Sequence, residues 1–257
     1  MQIRNLRVVQ NYSVNDDCYV LRCTDNEPLP DVKPGQFAQV KVENNASAFL
    51  RRTFSIFNYS EDDNEVDFLI KKMGHGSTAL SKLQHGDMLN VILPLGKGFS
   101  LQDVTDHGRA LLIGGGVGIA PMFISAKYLK KHNKKFDVLM GGKTTSDLLL
   151  LEKFQRLGNV YCTTEDGSSG TKGFVTDHAC MKENLRDYDK IFCCGPEPMM
   201  KAVAKIAKNS DTYCEVSLEN KMGCGFGVCL CCVTPTTTGN RCVCTEGPVF
   251  NINELKW

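Results

Sequence analysis

ALLIGGGVGIAPMFISAKYL, residues 110–129, decides the fold. Ala110–Ile113 is a short apolar run, and it feeds directly into glycines, as a buried strand does at its end. Apolar residues then recur at 119, 122, 123, 126 and 129, the spacing of one helical face. A strand, a glycine turn and a helix in that order can bring backbone N–H groups and a helix N-terminus against a diphosphate. The turn is not the full dinucleotide fingerprint, since position 119 is isoleucine. It reads better as G-x-G-x-x-P, from Gly116 through Gly118 to Pro121, and proline suits a first helical turn, where a missing N–H is harmless. Gly114, Gly115, Gly116, Gly118 and Pro121 are therefore candidate dinucleotide contacts, although a plain strand-to-helix turn satisfies the same pattern.

Downstream the alternation continues. FDVLM (136–140), NVYC (159–162) and KIFCC (190–194) read as strands. Ser146 or Asp147 is positioned to cap a helix carrying Leu148, Leu151 and Phe154, and Met199, Val203 and Ile206 mark another helix. Strands alternating with helices predict a parallel sheet covered on both faces. No acidic residue ends the second strand to bind a ribose hydroxyl, so that rule does not separate NAD from NADP. Upstream the pattern differs. FAQVKV (37–42), VDFLI (66–70) and LNVIL (89–93) are separated by Lys33-Pro34-Gly35, Asp62-Asp63-Asn64 and His85-Gly86-Asp87, which suggests a small antiparallel barrel or sandwich. After Asp211 the chain is rich in cysteine, glycine and threonine with little periodicity, and such a segment needs a metal or cofactor to fold. The expected organisation is multi-domain, β plus α/β: a barrel over 1–101, a parallel-sheet domain over 102–211 and a small C-terminal domain over 212–257.

The composition bounds the function. The 257 residues are 42% hydrophobic and 23% charged with a net charge of +1, so no basic field points to nucleic acid. The N-terminus MQIRNLRVVQ has neither the apolar core nor the cleavage site of a signal peptide. No run approaches the roughly 18 apolar residues of a membrane span. These readings imply a cytoplasmic protein with no membrane partner. The five histidines, His75 among them, are expected to be structural or solvated.

Thirteen cysteines is a high count, and their distribution is informative. Seven are scattered from Cys18 to Cys214, as small buried residues are. The other six crowd between Cys224 and Cys244 in CGFGVCLCCVTPTTTGNRCVC. Cys224, Cys229 and Cys232 have the C-x4-C-x2-C spacing of plant-type [2Fe–2S] proteins. Gly223, Gly225 and Gly227 let the backbone wrap closely and aim N–H groups at the sulfurs. By spacing alone the fourth ligand is either Cys242 or Cys244, and Cys231 is a spare. Four thiolates would also satisfy structural zinc, though zinc sites usually show two C-x2-4-C knuckles.

RRTFSIFN (51–58) supplies an arginine whose planar fork can clamp a diphosphate, with the Ser55 hydroxyl three residues on. GHGST (74–78) adds backbone donors and two hydroxyls. Either stretch could be an ordinary basic strand or a glycine turn.

Taken together, RTFS (52–55), GHGST (74–78), GGGVGIAPM (114–122) and CGPEPMM (194–200) resemble the ferredoxin–NADP reductase superfamily. EDGSSGTKGFVTD (165–177), ENKMGCGFGVCLCC (219–232) and VCTEGPVF (243–250) resemble the electron-transfer subunits of B-type dihydroorotate dehydrogenases. The resemblance covers nearly the whole chain. It implies an FAD-binding barrel, a nicotinamide-binding domain and a C-terminal [2Fe–2S] domain. It implies cluster ligands at Cys224, Cys229, Cys232 and Cys244, the last because it precedes the motif ending in EGPVF. FAD contacts fall on Arg52, Thr53, Phe54 and Ser55, on Leu69, Ile70 and Lys71, and on Gly76 and Ser77. Gly114–Pro121 matches the NAD(H) loop, and Cys194 the position beside the nicotinamide. An FMN-containing catalytic subunit is the implied partner, in a heterotetramer of two plus two that passes electrons from dihydroorotate to NAD⁺. Related subunits serve sulfite reductases, hydrogenases and ferredoxin:NADP oxidoreductases. The chain departs from the family in having RTFS for an RPIS-like strip, a serine before the usual threonine in GHGST, a short loop from Cys232 to Cys244, and the additional Cys231 and Cys242.

Overall fold

The computed structural model describes residues 1–43 and 48–257. The N-terminal part comprises β1 (Gln2–Ser13), β2 (Cys18–Thr24), β3 (Phe37–Val40), β4 (Arg52–Ser60), β5 (Glu65–Lys71), a short α1 (His75–Leu80) and β6 (Met88–Leu95). The six strands close into an antiparallel barrel in the order β1-β2-β5-β4-β3-β6, and closure leaves no strand edge unpaired. Period-two alternation sorts the side chains. Ala38, Val40, Phe68, Ile70, Val91 and Leu93 pack the interior. Phe37 packs in a different core, on the barrel's outer face, which is also the face of Gln39.

The second part runs through β7 (Arg109–Gly115), α2 (Ala120–Lys131), β8 (Lys135–Gly142), α3 (Leu151–Gln155), β9 (Asn159–Thr164), β10 (Thr171–Lys172), α4 (Ala179–Lys182), β11 (Lys190–Cys194), α5 (Glu197–Asn209) and β12 (Tyr213–Ser217). Alternation along β7 shows why both sheet faces are covered. Ala110 and Leu112 pack with Met122, Ala126 and Leu129 of α2, while Leu111 and Ile113 pack with Val203 and Ala207 of α5. The strand order β10-β9-β8-β7-β11-β12 reverses direction between β7 and β11. A crevice outside the carboxyl ends of those two strands follows from that reversal. At the opposite end, buried Asp137 accepts from Arg109 (3.2 Å), Asn159 (3.2 Å) and Tyr188 (2.8 Å), tying β7, β8 and β9 together.

Two local expectations are corrected. The cap after β8 is Thr144, whose side chain accepts from Ser146 N, while the Asp147 carboxylate reaches back to the N–H groups of Lys143 and Thr144. It closes a single 3-10 turn. Leu150 then takes a left-handed conformation (φ 56°) and the helix runs only from Leu151 to Gln155, so Leu148 lies before it. The expected end of the sheet domain at Asp211 is also crossed, because β12 lies beyond it and pairs parallel with β11. The apolar alternation there is only five residues long, too short to stand out beside the cysteines.

The tail comprises β13 (Val233–Thr236), β14 (Gly239–Cys242), α6 (Val243–Glu246) and β15 (Val249–Asn251). β13 and β14 form a hairpin, and β15 joins the large sheet antiparallel to β12. One core includes Phe37, Ile92 and Leu95 of the barrel, Val216 of the sheet, and Cys232, Val243 and Phe250 of the tail. The barrel and sheet also meet directly. Phe57 stacks on Phe123 with centroids 4.6 Å apart, and the Lys127 ammonium donates to Asn58 Oδ1 at 2.6 Å.

Candidate functional site

A cleft of about 730 Å³ opens at the β7/β11 switch point. Its floor is Gly115, Gly116, Val117 and Gly118 with Gly195 and Pro196, and Asp17, Lys71 and Met73 reach it from the barrel. The glycine turn is packed tightly. A Cβ on Gly118 would lie 2.5 Å from Gly195 Cα and 2.7 Å from Cys194 O, so only glycine allows the two loops to touch. Pro121 stands in the first turn of α2, as its fixed φ favours. Gly114 lies just behind, where a Cβ would strike Ile119. Cys194 is wholly buried at the end of β11, and it is the next residue, Gly195, that lines the cleft. Burial drives the Cys194 thiol well above its ordinary value, so it is no nucleophile at neutral pH.

Lys143, Glu165, Phe174 and Glu219 also line the cleft, and the sequence reading assigned none of them a role. Glu165 follows β9, the third strand of the sheet from the switch point, one strand beyond the position where the ribose-binding rule places a carboxylate. Position Glu165 N donates to Gly142 O at 3.1 Å, which seats it across from the end of β8.

The strip 52–55 opens β4 and pairs with β3 in the register Arg52↔Val40, Thr53↔Gln39, Phe54↔Ala38 and Ser55↔Phe37. All four strip residues are half-buried. The Arg52 guanidinium lies over Gly76, where a Cβ would come within 2.7 Å of its Nε, so the strip and the GHGST turn meet through a missing side chain. Ser77 Oγ accepts from Met73 N at 2.8 Å, and the Ser77 carbonyl accepts from Tyr19 at 2.7 Å. Leu69 and Ile70 are buried, leaving Lys71 as the member of its segment that reaches the cleft.

The sulfurs fall into two pairs. Cys224 N donates to Cys229 Sγ and Cys229 N to Cys224 Sγ, both at 3.4 Å. Cys244 N donates to Cys232 Sγ at 3.4 Å. Among the described residues, no three of His, Cys, Asp and Glu converge as ligands of a single metal ion do. Two sulfur pairs suit two irons. Burial opposes a thiolate at Cys224, yet N–H groups of Cys229, Phe226 and Val228 with the Cys229 thiol bring it down to about 6. Burial, together with Cys232, pushes Cys244 up to about 12, so its proton leaves when metal binds. Cys242 and Cys231 stand outside both pairs. Cys242 N donates to Glu246 at 2.8 Å, and Cys231 is exposed. Of Cys242 and Cys244, it is Cys244 whose N–H meets Cys232 Sγ. Gln39 is the contact that spacing could not reveal. Its Nε2 donates to Gly223 O at 3.3 Å, joining the barrel to the cysteine loop.

A closed barrel, a glycine-lined cleft at the switch point and two cysteine pairs on one chain are the parts of an iron–sulfur flavoprotein oxidoreductase. Three family models cover it: an oxidoreductase FAD-binding domain over 5–99, an oxidoreductase NAD-binding domain over 112–205, and the iron–sulfur cluster binding domain of dihydroorotate dehydrogenase B over 219–256. The chain is 36% identical to the dihydroorotate dehydrogenase B (NAD(+)) electron transfer subunit of Geobacillus sp. (strain WCH70), with 99% of each chain covered. It is 36% identical to that of Lysinibacillus sphaericus (strain C3-41) over 95% of each. A solved structure described as an NADH-dependent reduced ferredoxin-NADP oxidoreductase superposes with a TM-score of 0.87 at 26% identity, covering 99% of this chain and 90% of the other. The ferredoxin reductase in carbazole 1,9a-dioxygenase shares the fold, with a TM-score of 0.71 at 22% identity over 82% of this chain and 66% of that one. The chain belongs to the family of dihydroorotate dehydrogenase B electron-transfer subunits.

Proposed function

We propose that this subunit carries electrons between an FMN-containing dihydroorotate-oxidising partner and NAD⁺, in pyrimidine biosynthesis. The observation that carries the reading is contiguity: the cysteine loop docks on β3, the strand paired with the one that opens with Arg52–Ser55, and their barrel shares a cleft with the glycine loop. When bound, FAD supplies the exchange between single electrons at the cluster and the electron pair that nicotinamide requires.

The residues take the following roles. Arg52 clamps the FAD diphosphate over Gly76, while Thr53, Phe54, Ser55 and the Leu69–Lys71 backbone seat the ring, and Ser77 braces the turn. Gly114–Gly118 and Pro121 hold the nicotinamide dinucleotide, with Cys194 shaping the floor behind Gly195. Glu165 accepts a ribose 2′-hydroxyl and repels a 2′-phosphate, which selects NAD over NADP. Cys224, Cys229, Cys232 and Cys244 hold the cluster. The Cys224–Cys232 loop exposes Phe226, Val228 and Leu230, an apolar surface suited to the catalytic subunit in a two-plus-two assembly. We set the domain limits near 101 and 218, after β6 and β12 have ended. No helix among the described residues is long and apolar enough to cross a membrane. We place the protein in a reducing compartment, the cytoplasm, where the cysteines outside the cluster stay as thiols.

The test is Cys229→Ser beside Cys242→Ser. The first abolishes cluster absorbance and dihydroorotate-driven NAD⁺ reduction in the reconstituted complex, and the second keeps both. Full activity in Cys229→Ser removes it as a ligand. The structural match to a ferredoxin-linked oxidoreductase favours one alternative, in which the partner is ferredoxin-dependent. Co-purification with an FMN-containing dihydroorotate-oxidising subunit decides between them. Zinc in a colourless protein would defeat both.

A further inference from the structure

We propose that Gln39 is a positioning residue that raises the reduction potential of the iron–sulfur cluster, by polarising one peptide whose N–H is aimed at a ligand sulfur. The inference rests on Cys229 being a cluster ligand. Gln39 is wholly buried in an otherwise apolar strand, FAQV, on the outer face of the barrel. Its Nε2 donates to the carbonyl of Gly223 at 3.3 Å. The N–H of that same peptide unit, at Cys224, donates to Cys229 Sγ at 3.4 Å. Two hydrogen bonds therefore run in series through one peptide, and each polarises the other.

The contact is close. A Cβ on Gly225 would lie 2.6 Å from both Cδ and Oε1 of Gln39, so the loop lies flat against the carboxamide only because residue 225 is glycine. Oε1 has no hydrogen-bond partner among the described residues. Turning the amide over would set Oε1 against the Gly223 carbonyl, so the donor is held toward the loop. Methionine would fill the same space without leaving a buried acceptor unsatisfied. What the glutamine adds is the donor. The reduced cluster carries one more negative charge than the oxidised cluster. Stronger donation to a ligand sulfur favours the reduced form, and the potential rises. Gln39 is also the register partner of Thr53, so one residue ties the cluster loop to the strand proposed to hold the flavin.

The test is a redox titration of the holoprotein, followed by the cluster's electron paramagnetic resonance signal, in wild type, Gln39→Met and Gln39→Leu. Gln39→Met should retain its iron, sulfide and FAD. Its one-electron equilibrium should shift about threefold toward the oxidised cluster, a midpoint about 28 mV lower. Gln39→Leu removes the same donor without adding charge, so its midpoint should fall by a similar amount. If Gln39→Met fails to fold, Gln39→Leu carries the test. A cluster-bearing variant with a wild-type or raised midpoint overturns the proposal. A wild-type protein free of iron overturns instead the reading on which it rests.

Discussion

Gly118→Ala adds one methyl group where two backbone loops meet at the floor of the cleft. That carbon would sit 2.5 Å from Gly195 Cα and 2.7 Å from both Cys194 O and Gly195 N. Every obstacle is backbone, so no side chain can rotate out of the way. Reaching ordinary contact requires the two loops to part by about 0.9 Å. Strain of that kind costs about 1–3 kcal/mol, against a domain stability that is commonly about 5–15 kcal/mol, so the variant should fold with a lower Tm. The Gly115–Gly118 floor moves with the loop, and a misplacement of about 1 Å costs about a hundredfold in rate. The assay is NADH oxidation with ferricyanide, which reads the flavin without the partner subunit, with the FAD spectrum recorded alongside. The expected result is kcat/KM for NADH down by about a hundredfold with FAD retained. Wild-type kinetics with NADH would refute the assignment of this turn to the dinucleotide.

Arg52→Ala removes the guanidinium lying over Gly76 and should weaken FAD binding roughly tenfold to a hundredfold, the worth of a charge-assisted contact. Arg52→Lys should recover only part of it, because a point charge cannot grip bidentately, and equilibrium dialysis of the flavin measures both. His178 gives a pH signature. Burial lowers its imidazole below the ordinary 6.5, so the unfolded chain binds the proton more readily, and stability falls as pH drops through that value toward the folded one. His178→Asn keeps an acceptor for Cys180 N, and its Tm should fall less steeply than wild type between pH 7 and pH 5. Equal slopes would show that His178 does not titrate as its burial requires.

The features legible in the chain were those encoded by neighbours in sequence. ALLIGGGVGIAP announced a strand, a close turn and a helix because each is a local preference of backbone and apolar period. C-x4-C-x2-C announced a cluster because three cysteines lie on one short loop. FAQVKV and LNVIL announced barrel strands by the same logic, while the Leu148 helix failed, since Thr144 caps a turn that Leu150 then breaks. What only the tertiary structure decided lies between segments far apart in the chain. The Gln39–Gly223 bond spans 184 residues. Arg52 over Gly76, Glu165 at the mouth of the cleft, and Cys244 rather than Cys242 beside Cys232 are likewise set by packing. Propensity and spacing act over a few residues, whereas the approach of two surfaces depends on every side chain buried between them. A single glutamine in an apolar strand therefore reads as an oddity until the loop it holds is brought against it.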